Sequence, residues 1–269
     1  RPDALMTATS PFFHKLASDP HCLYTLYGDS IPRTFSAPSW ASILTGTKET
    51  DHNILHNKTI EKDTRFPLPT TFFEPIKESY RNLDSLPFRS QSFVSDWPGM
   101  KHLQEKVSDK TEFFKDQGSL QNDERAAKAT LDHLKQTETS DLVFLYLVNV
   151  DEEGHRTGFA PHNPMYLEAI HKIDQQVEPL FREIETRRQN YQEDWLVVIT
   201  TDHGGTDFSN MSPQLKSQFE KKYPGYTNRG IHGLSIKPHQ NVFIFFHLLL
   251  SYLMGPLFQH HLKQPSFFH

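Results

Sequence analysis

The sequence predicts an α/β domain with a mainly parallel β-sheet and helices on both faces. Three near-continuous apolar runs, at residues 141–150, 195–201 and 241–246, have the length and composition of strands that are buried on both faces. Apolar residues recur every three or four positions over 163–188, which predicts a long amphipathic helix between the first two runs. A strand, helix, strand unit of this kind is typical of a parallel sheet.

The other elements are assigned in chain order. A short helix is predicted at 38–44, where Pro38 occupies a first turn in which its missing N–H costs little. Residues 50–118 are rich in Pro, Ser, Asp and Lys, so we expect a loop-rich insertion or cap over 60–120. A second helix is predicted at 123–137, directly before the first apolar run.

The domain organisation predicted from this pattern is one domain over 1–246, followed by an unassigned apolar tail at 247–269. The run 242–258 is apolar but is interrupted by polar and helix-breaking residues, and it is barely long enough to cross a bilayer core of roughly 30 Å. We expect a buried strand followed by a short helix there. Membrane anchoring stays open as an alternative.

Composition excludes some functional classes. The formal net charge of −5 and the 23% charged content describe an ordinary surface, so binding of a nucleic-acid polymer is not indicated. Cys22 is the single cysteine among 269 residues, which excludes an internal disulfide framework and a cysteine metal cluster. A metal site would therefore use His, Asp and hydroxyl ligands.

Polar clusters follow two of the predicted strands. Asp151 and His155 come directly after the first, and Asp202 and His203 after the second. In open α/β sheets the carboxyl ends of the strands carry the ligand site, and oxygen with imidazole donors suits zinc. A surface turn with a hydrogen-bonded Asp and an exposed His is the alternative for each cluster. His232, in a Gly-Ile-His-Gly string, adds an imidazole, so Asp151, His155 and His232 are candidates for one metal, and Asp202 and His203 for another.

Ser36 stands just before the predicted helix at 38–44. Backbone N–H groups and the helix dipole favour negative charge at such a position, where a metal-activated serine could act as a nucleophile. The alternative is that Ser36 is only the helix N-cap.

In this order and spacing, the motifs resemble those of the alkaline phosphatase superfamily, and specifically its type I phosphodiesterase/nucleotide pyrophosphatase branch, over residues 1 to about 246. The resemblance implies an alkaline phosphatase-like fold and two divalent metal ions, with zinc as the expected metal. It also implies that Ser36 is the nucleophile and that Asn57, which follows a His-Asn-Ile-Leu-His stretch, contacts a phosphoryl oxygen. Six metal ligands are implied: the nucleophile Ser36 and, as matches to the D-x-x-G-H, D-H-G and H-G motifs, Asp151, His155, Asp202, His203 and His232.

One departure from the family pattern concerns the N-terminus. Residues 1–5 look like the remainder of a D-G-x-R-x-D motif whose first Asp is a metal ligand. We therefore expect that the first strand and one ligand would precede Arg1, and that the chain as given is N-terminally truncated. A truncated, inactive homologue that keeps the fold without the metals is the alternative.

The function predicted is hydrolysis of a small-molecule phosphate ester, most consistent with a phosphodiesterase or nucleotide pyrophosphatase that forms a covalent seryl-phosphoryl intermediate. A phosphomonoesterase and a phosphoethanolamine transferase of the same superfamily are the alternatives. A sulfatase is disfavoured, since Trp40 stands where the sulfatase motif has Arg. The resemblance slightly favours a secreted or membrane-associated protein, and the pattern does not give the substrate.

Overall fold

The computed structural model describes residues 1–62, 65–81 and 88–250. The helices are α1 Pro2–Thr7, α2 Pro11–Ala17, α3 Ser36–Thr45, α4 Glu49–His52, α5 Asn57–Lys62, α6 Phe73–Arg81, α7 Pro98–Val107, α8 Ser119–Leu134, α9 Asn149–Thr157, α10 Pro164–Tyr191, α11 Pro213–Lys222 and α12 Lys237–Gln240. The strands are β1 Cys22–Asp29, β2 Ser90–Ser95, β3 Lys110–Phe114, β4 Leu142–Tyr146, β5 Trp195–Thr200, β6 Thr206–Asp207, β7 Gly230–Ile231 and β8 Asn241–Leu249.

A parallel sheet with the strand order β3-β2-β4 confirms the predicted fold class. The apolar side chains of β4 pack on both of its faces. Phe144 and Tyr146 contact Trp40 of α3, whereas Leu145 belongs to a cluster that contains Leu180 of α10. The sheet is therefore covered by helices on both sides, which is what its near-continuous apolar run predicted.

The prediction of parallel-type strands buried on both faces is wrong for β5 and β8. They pair antiparallel with each other, and β8 pairs antiparallel with β1, in a sheet of order β1-β8-β5. One face of this sheet packs on α10, while Leu196 of β5 and Phe246 of β8 on the other face are 61% and 42% exposed. A continuous apolar run carries no information on strand direction, so the sequence could not distinguish the two arrangements.

The expected loop-rich insertion over 60–120 requires a second correction. Within it, residues 90–114 contribute β2, the central strand of the parallel sheet, together with α7 and β3. Every residue of β2 is buried, but its sequence is Ser-Gln-Ser-Phe-Val-Ser, so no apolar run marked it. Three of its polar side chains form hydrogen bonds inside the protein instead. Ser92 donates to Gln104 of α7, and Gln91 donates to Glu112 of β3.

The predicted helices at 38–44, 123–137 and 163–188 correspond to α3, α8 and α10. The last begins at a defined cap, because the side chain of Asn163 accepts a hydrogen bond from the N–H of Met165 and Pro164 occupies the first turn. Strand β8 continues to Leu249, so the first three residues of the predicted tail belong to the sheet. The short helix expected after this strand lies outside the described residues. No helix in the described part of the chain has the length and apolar character needed to cross a membrane.

Helix α10 packs across both three-stranded sheets. Its buried Leu180 and Ile184 contact Val143 of β4 and Val197 of β5. In the described part of the chain β4 pairs only with β2 and β5 only with β8, and an apolar cavity of about 330 Å³ lies between them. Ser36, Asp151, Asp202 and His203 line this cavity. The candidate site therefore lies beside the cavity between β4 and β5, the end strands of the two sheets.

Candidate active site

Helix α9 carries Asp151 in its first turn and His155 one turn later. At this spacing the two side chains share one face of the helix, and His155 Nε2 lies 3.4 Å from Asp151 Oδ2. Burial alone would raise the pKa of the Asp151 carboxyl, but His155 and its other histidine neighbours hold that pKa well below its usual range. Burial lowers the pKa of His155, yet the neighbouring carboxylate outweighs this and raises it to about 9.

His232 follows β7 and meets the same pair. Its Nε2 lies 3.0 Å from His155 Nε2 and 3.9 Å from Asp151 Oδ1. The Nδ1 atoms of both rings face backbone carbonyls, that of His232 at 2.6 Å from Thr34 O and that of His155 at 3.1 Å from Gly230 O. If each Nδ1–H donates to its carbonyl, each Nε2 keeps a lone pair. The two lone pairs then point at one another, and a cation between them would remove the repulsion. Burial, together with the positive charges of the neighbouring histidines, lowers the pKa of His232 well below its ordinary value.

A second group of donors follows β5. His203 Nε2 lies 3.3 Å from Asp202 Oδ2 and 3.2 Å from Ser36 Oγ. His203 Nδ1 faces Gly204 O at 2.9 Å, which again leaves Nε2 to act as a ligand. Burial raises the pKa of the Asp202 carboxyl to about 6. The His203 ring stacks on that of His232 with 3.7 Å between centroids, so the two groups of donors adjoin.

Ser36 is the first residue of α3 and does not cap it. The N-cap is Phe35, and no side-chain cap hydrogen bond is formed. The Ser36 hydroxyl, in a residue that is 8% exposed, instead points to His203. The alternative in which Ser36 is only a helix cap therefore disagrees with the structure.

Asn57 begins α5 and lies beside Ser36. Its Oδ1 accepts a hydrogen bond from the N–H of Ala37 at 3.0 Å. This contact fixes the amide orientation, because the carbonyl side of the amide is held by the backbone and the NH₂ group is left to donate elsewhere. All seven residues proposed from the sequence thus lie in one region, which their types and spacing did not by themselves guarantee.

Two carboxylate oxygens give a direct test of whether this region suits a metal ion. Asp202 Oδ2 and Asp151 Oδ1 are buried and have no hydrogen-bond partner among the described residues, although the Nε2 atoms of His203 and His232 lie 3.3 and 3.9 Å from them. A buried anionic oxygen without a partner is costly unless it is paired or coordinates a cation. Donor atoms of Asp151, His203 and His232 lie within 4.8 Å of one another, and oxygen with imidazole nitrogen is a zinc-type donor set. The residues therefore fit divalent metal ions.

Sequence reasoning missed the groups that orient these donors. The carbonyl groups of Thr34 and Gly230 belong to the backbone and leave no trace in the residue type. Tyr226 is also part of the site, since its hydroxyl donates to Gly230 O at 2.6 Å and lies 3.2 Å from His155 Nδ1. An aromatic residue in a loop carries no signal that could have identified it.

Comparison with known proteins identifies a family and a shared fold. A family model described as type I phosphodiesterase / nucleotide pyrophosphatase matches residues 1–229. An inactive variant of murine ectonucleotide pyrophosphatase / phosphodiesterase 5, solved in complex with AMP, matches at 14% identity and a TM-score of 0.64, over 92% of this chain and 85% of that one. The human counterpart matches at 14% identity and a TM-score of 0.60, over 100% and 94%.

A more distant match shares the fold. The C-terminal periplasmic domain of the phosphoethanolamine transferase EptC from Campylobacter jejuni aligns at 10% identity and a TM-score of 0.56, over 89% of this chain and 71% of that one. The match to the family model over most of the chain decides the family. The chain belongs to the type I phosphodiesterase / nucleotide pyrophosphatase family, whose members are phosphoric ester hydrolases, and the resemblance predicted from the sequence is confirmed.

Proposed function

We propose that this member of the type I phosphodiesterase / nucleotide pyrophosphatase family cleaves phosphodiester or pyrophosphate bonds of small nucleotide-type substrates. The reaction would proceed through a covalent intermediate on Ser36 and would require two divalent ions, with zinc as the favoured metal. The supporting observation is the position of the Ser36 hydroxyl, 3.2 Å from His203 Nε2 in the second of two adjoining groups of donors.

The proposed metal ligands follow from the distances. Asp151, His155 and His232 would hold one ion, and Asp202, His203 and Ser36 the other. When bound, the two ions would supply Lewis acidity, which neutralises charge on the phosphoryl oxygens and lowers the pKa of the serine hydroxyl.

The chain's own residues would perform the covalent chemistry in two displacements. Ser36 Oγ attacks phosphorus, the Oγ–P bond forms, and the bond from phosphorus to the leaving oxygen breaks. A water molecule then attacks phosphorus, the Oγ–P bond breaks, and the serine hydroxyl is restored as the phosphate monoester departs. The NH₂ group of Asn57, oriented by the contact of its Oδ1 with Ala37, would donate to a phosphoryl oxygen as negative charge increases there.

Trp40 argues for a phosphate rather than a sulfate ester. It stands where the sulfatase motif has Arg, and it is 8% exposed, with its ring packed edge-on against Tyr146. The position therefore supplies a core aromatic ring in place of a cation. The AMP bound to the murine structure favours nucleotides as the substrate class. The periplasmic location of the matched transferase domain favours a site of action outside the cytoplasm.

Trapping the covalent intermediate tests this proposal. The zinc-loaded protein is mixed with an aryl phosphodiester, quenched in acid within the first turnovers and digested, and the peptide containing Ser36 is analysed by mass spectrometry. We expect Ser36 to carry a phosphoryl group that is still esterified to the remaining alcohol of the substrate, with the aryl alcohol released, and we expect no such adduct in Ser36→Ala. Turnover without any labelled serine would contradict the covalent route, whereas protein that binds no metal and turns over nothing would identify an inactive homologue. Preference for a monoester, or transfer of the group to an alcohol, would move the assignment to the alternatives within the superfamily.

A further inference from the structure

We propose that Asp123, a residue of α8, is a positioning residue for the metal site. It would hold the N-terminus of α9 in place, and with it the metal ligands Asp151 and His155. This inference rests on the proposed function for the metal itself.

Helix α9 begins without a cap of its own. Its N-cap is Val148, whose apolar side chain cannot accept the exposed N–H groups of the first turn. Asp123 supplies the missing acceptors from another helix. Its Oδ1 accepts from the N–H of Val148 at 2.9 Å, and its Oδ2 accepts from the N–H of Asn149 at 2.8 Å. A carboxylate at this end of a helix also complements the helix dipole.

Asp123 is fully buried, at 0% exposure. Burial raises the pKa of its carboxyl to about 6, which still leaves it ionised at neutral pH. A Ser or Asp at the N-cap would accept from N–H groups two or three residues later and would not bury a charge, but it would not reach the N–H groups of Val148 and Asn149. What the buried carboxylate adds is a link between two helices, because α8 packs on the parallel sheet and Asp123 ties α9 to it.

The position of α9 matters because it carries two of the three proposed ligands of one ion. Asp151 lies two residues after Asn149, and His155 follows one turn later. The third ligand, His232, comes from a separate loop held by Thr34. Zinc–ligand bonds are about 2.0–2.2 Å long, so a shift of α9 by a fraction of an ångström relative to this loop would spoil the geometry. Loss of a group that orients a ligand typically costs about 10–100-fold in metal affinity.

The chain contains a matched control for this role. Asp174 of α10 is 1% exposed and accepts hydrogen bonds from the N–H groups of Phe12 and Phe13, at 3.1 and 2.9 Å. These residues lie at the start of α2, which contributes no proposed ligand. Asp174 therefore forms a comparable cross-helix cap on a helix that carries no proposed ligand.

The experiment compares Asp123→Asn with Asp174→Asn. Zinc affinity is measured by competition with a chromogenic chelator, the cobalt-substituted protein is examined by visible absorption, and thermal unfolding is measured on the metal-free proteins. We expect both variants to lose comparable thermal stability. Only Asp123→Asn should bind zinc about 10–100-fold more weakly and change the cobalt spectrum.

Unchanged zinc affinity in Asp123→Asn, or an equal loss in both variants, would overturn the positioning role. If Asp123→Asn does not fold, Asp123→Glu and Asp174→Glu replace the pair, since each keeps a carboxylate but displaces it by one methylene. Wild-type protein that fails to bind zinc would overturn both the proposed function and this inference. Normal wild-type binding that is insensitive to Asp123 would overturn the inference alone.

Discussion

Replacing Ser36 by alanine separates catalysis from stability, because within the described residues this hydroxyl forms a single hydrogen bond. Its Oγ lies 3.2 Å from His203 Nε2, and it does not cap α3. Losing one such hydrogen bond costs about 1 kcal/mol. Alanine has the higher helix propensity, which offsets about 0.5 kcal/mol of that loss. The net destabilisation of about 0.5 kcal/mol should lower the melting temperature of a protein this size by only about 1–2 °C.

Turnover should respond on a different scale. Without the hydroxyl no covalent intermediate can form, and loss of a nucleophile in enzymes of this type typically lowers kcat by about a thousandfold or more. Ser36→Thr keeps a hydroxyl and should retain part of the activity. The assay is hydrolysis of an aryl phosphodiester by the zinc-loaded protein, with thermal unfolding measured on the same samples.

Ser42 of the same helix provides the control. Its Oγ also lies close to a histidine, at 3.0 Å from His52 Nε2, but neither residue belongs to the proposed site. Ser42→Ala should therefore cost similar stability and leave kcat unchanged. Near wild-type turnover in Ser36→Ala, or a loss that appears equally in Ser42→Ala, would refute the assignment of Ser36 as the nucleophile.

Four further outcomes are expected. A chelator should abolish turnover and added zinc should restore it, because the buried oxygens Asp151 Oδ1 and Asp202 Oδ2 form no hydrogen bond among the described residues and are available to coordinate a cation. An aryl phosphodiester should be hydrolysed faster than the matching monoester, and either far faster than an aryl sulfate. Initial rates measured with each of the three esters check this order. Gly230→Ala should destabilise the protein far more than Gly225→Ala. A methyl group at Gly230 would overlap the Gly154 carbonyl, whereas one at Gly225 meets nothing and costs about 1 kcal/mol of backbone strain. Burial lowers the pKa of His52 below its ordinary value. The stability that depends on its neutral form is therefore present above about pH 6.5 and is lost as the pH falls through the lowered pKa. In denaturant titrations, His52→Gln should show less of this loss.

The sequence predicted those parts of the fold whose signal is local. Helix α10 was predictable because its apolar residues repeat with the helix period and Asn163 with Pro164 marks its start. Strand β2 was not predictable. Ser90–Ser95 lies at the centre of the parallel sheet, yet it has hydroxyl or amide side chains at four positions and only two apolar residues. Ser90, Gln91 and Ser92 form hydrogen bonds with neighbouring parts of the chain, and these partners come close only in the folded protein.

The candidate site shows the same division. Residue types and order at strand ends were enough to select Asp151 and Asp202 as candidate ligands, since the carboxyl ends of strands are where ligands bind in open α/β sheets. The antiparallel pairing of β5 did not affect the selection of Asp202. The position of the polar cluster depends on where β5 ends and not on the direction of the neighbouring strand.

The orientation of the imidazole rings is a different kind of property, and sequence could not supply it. A histidine can bind a metal through Nε2 only if that atom keeps its lone pair, and a hydrogen bond from Nδ1 to a carbonyl oxygen selects this form. His155, His203 and His232 each have Nδ1 within 3.1 Å of a carbonyl oxygen, and these carbonyls belong to residues 230, 204 and 34. Two of the three come from parts of the chain remote from the ring that they orient. The motifs therefore specify which atoms are available, while the tertiary structure specifies which nitrogen of each ring faces the metal site.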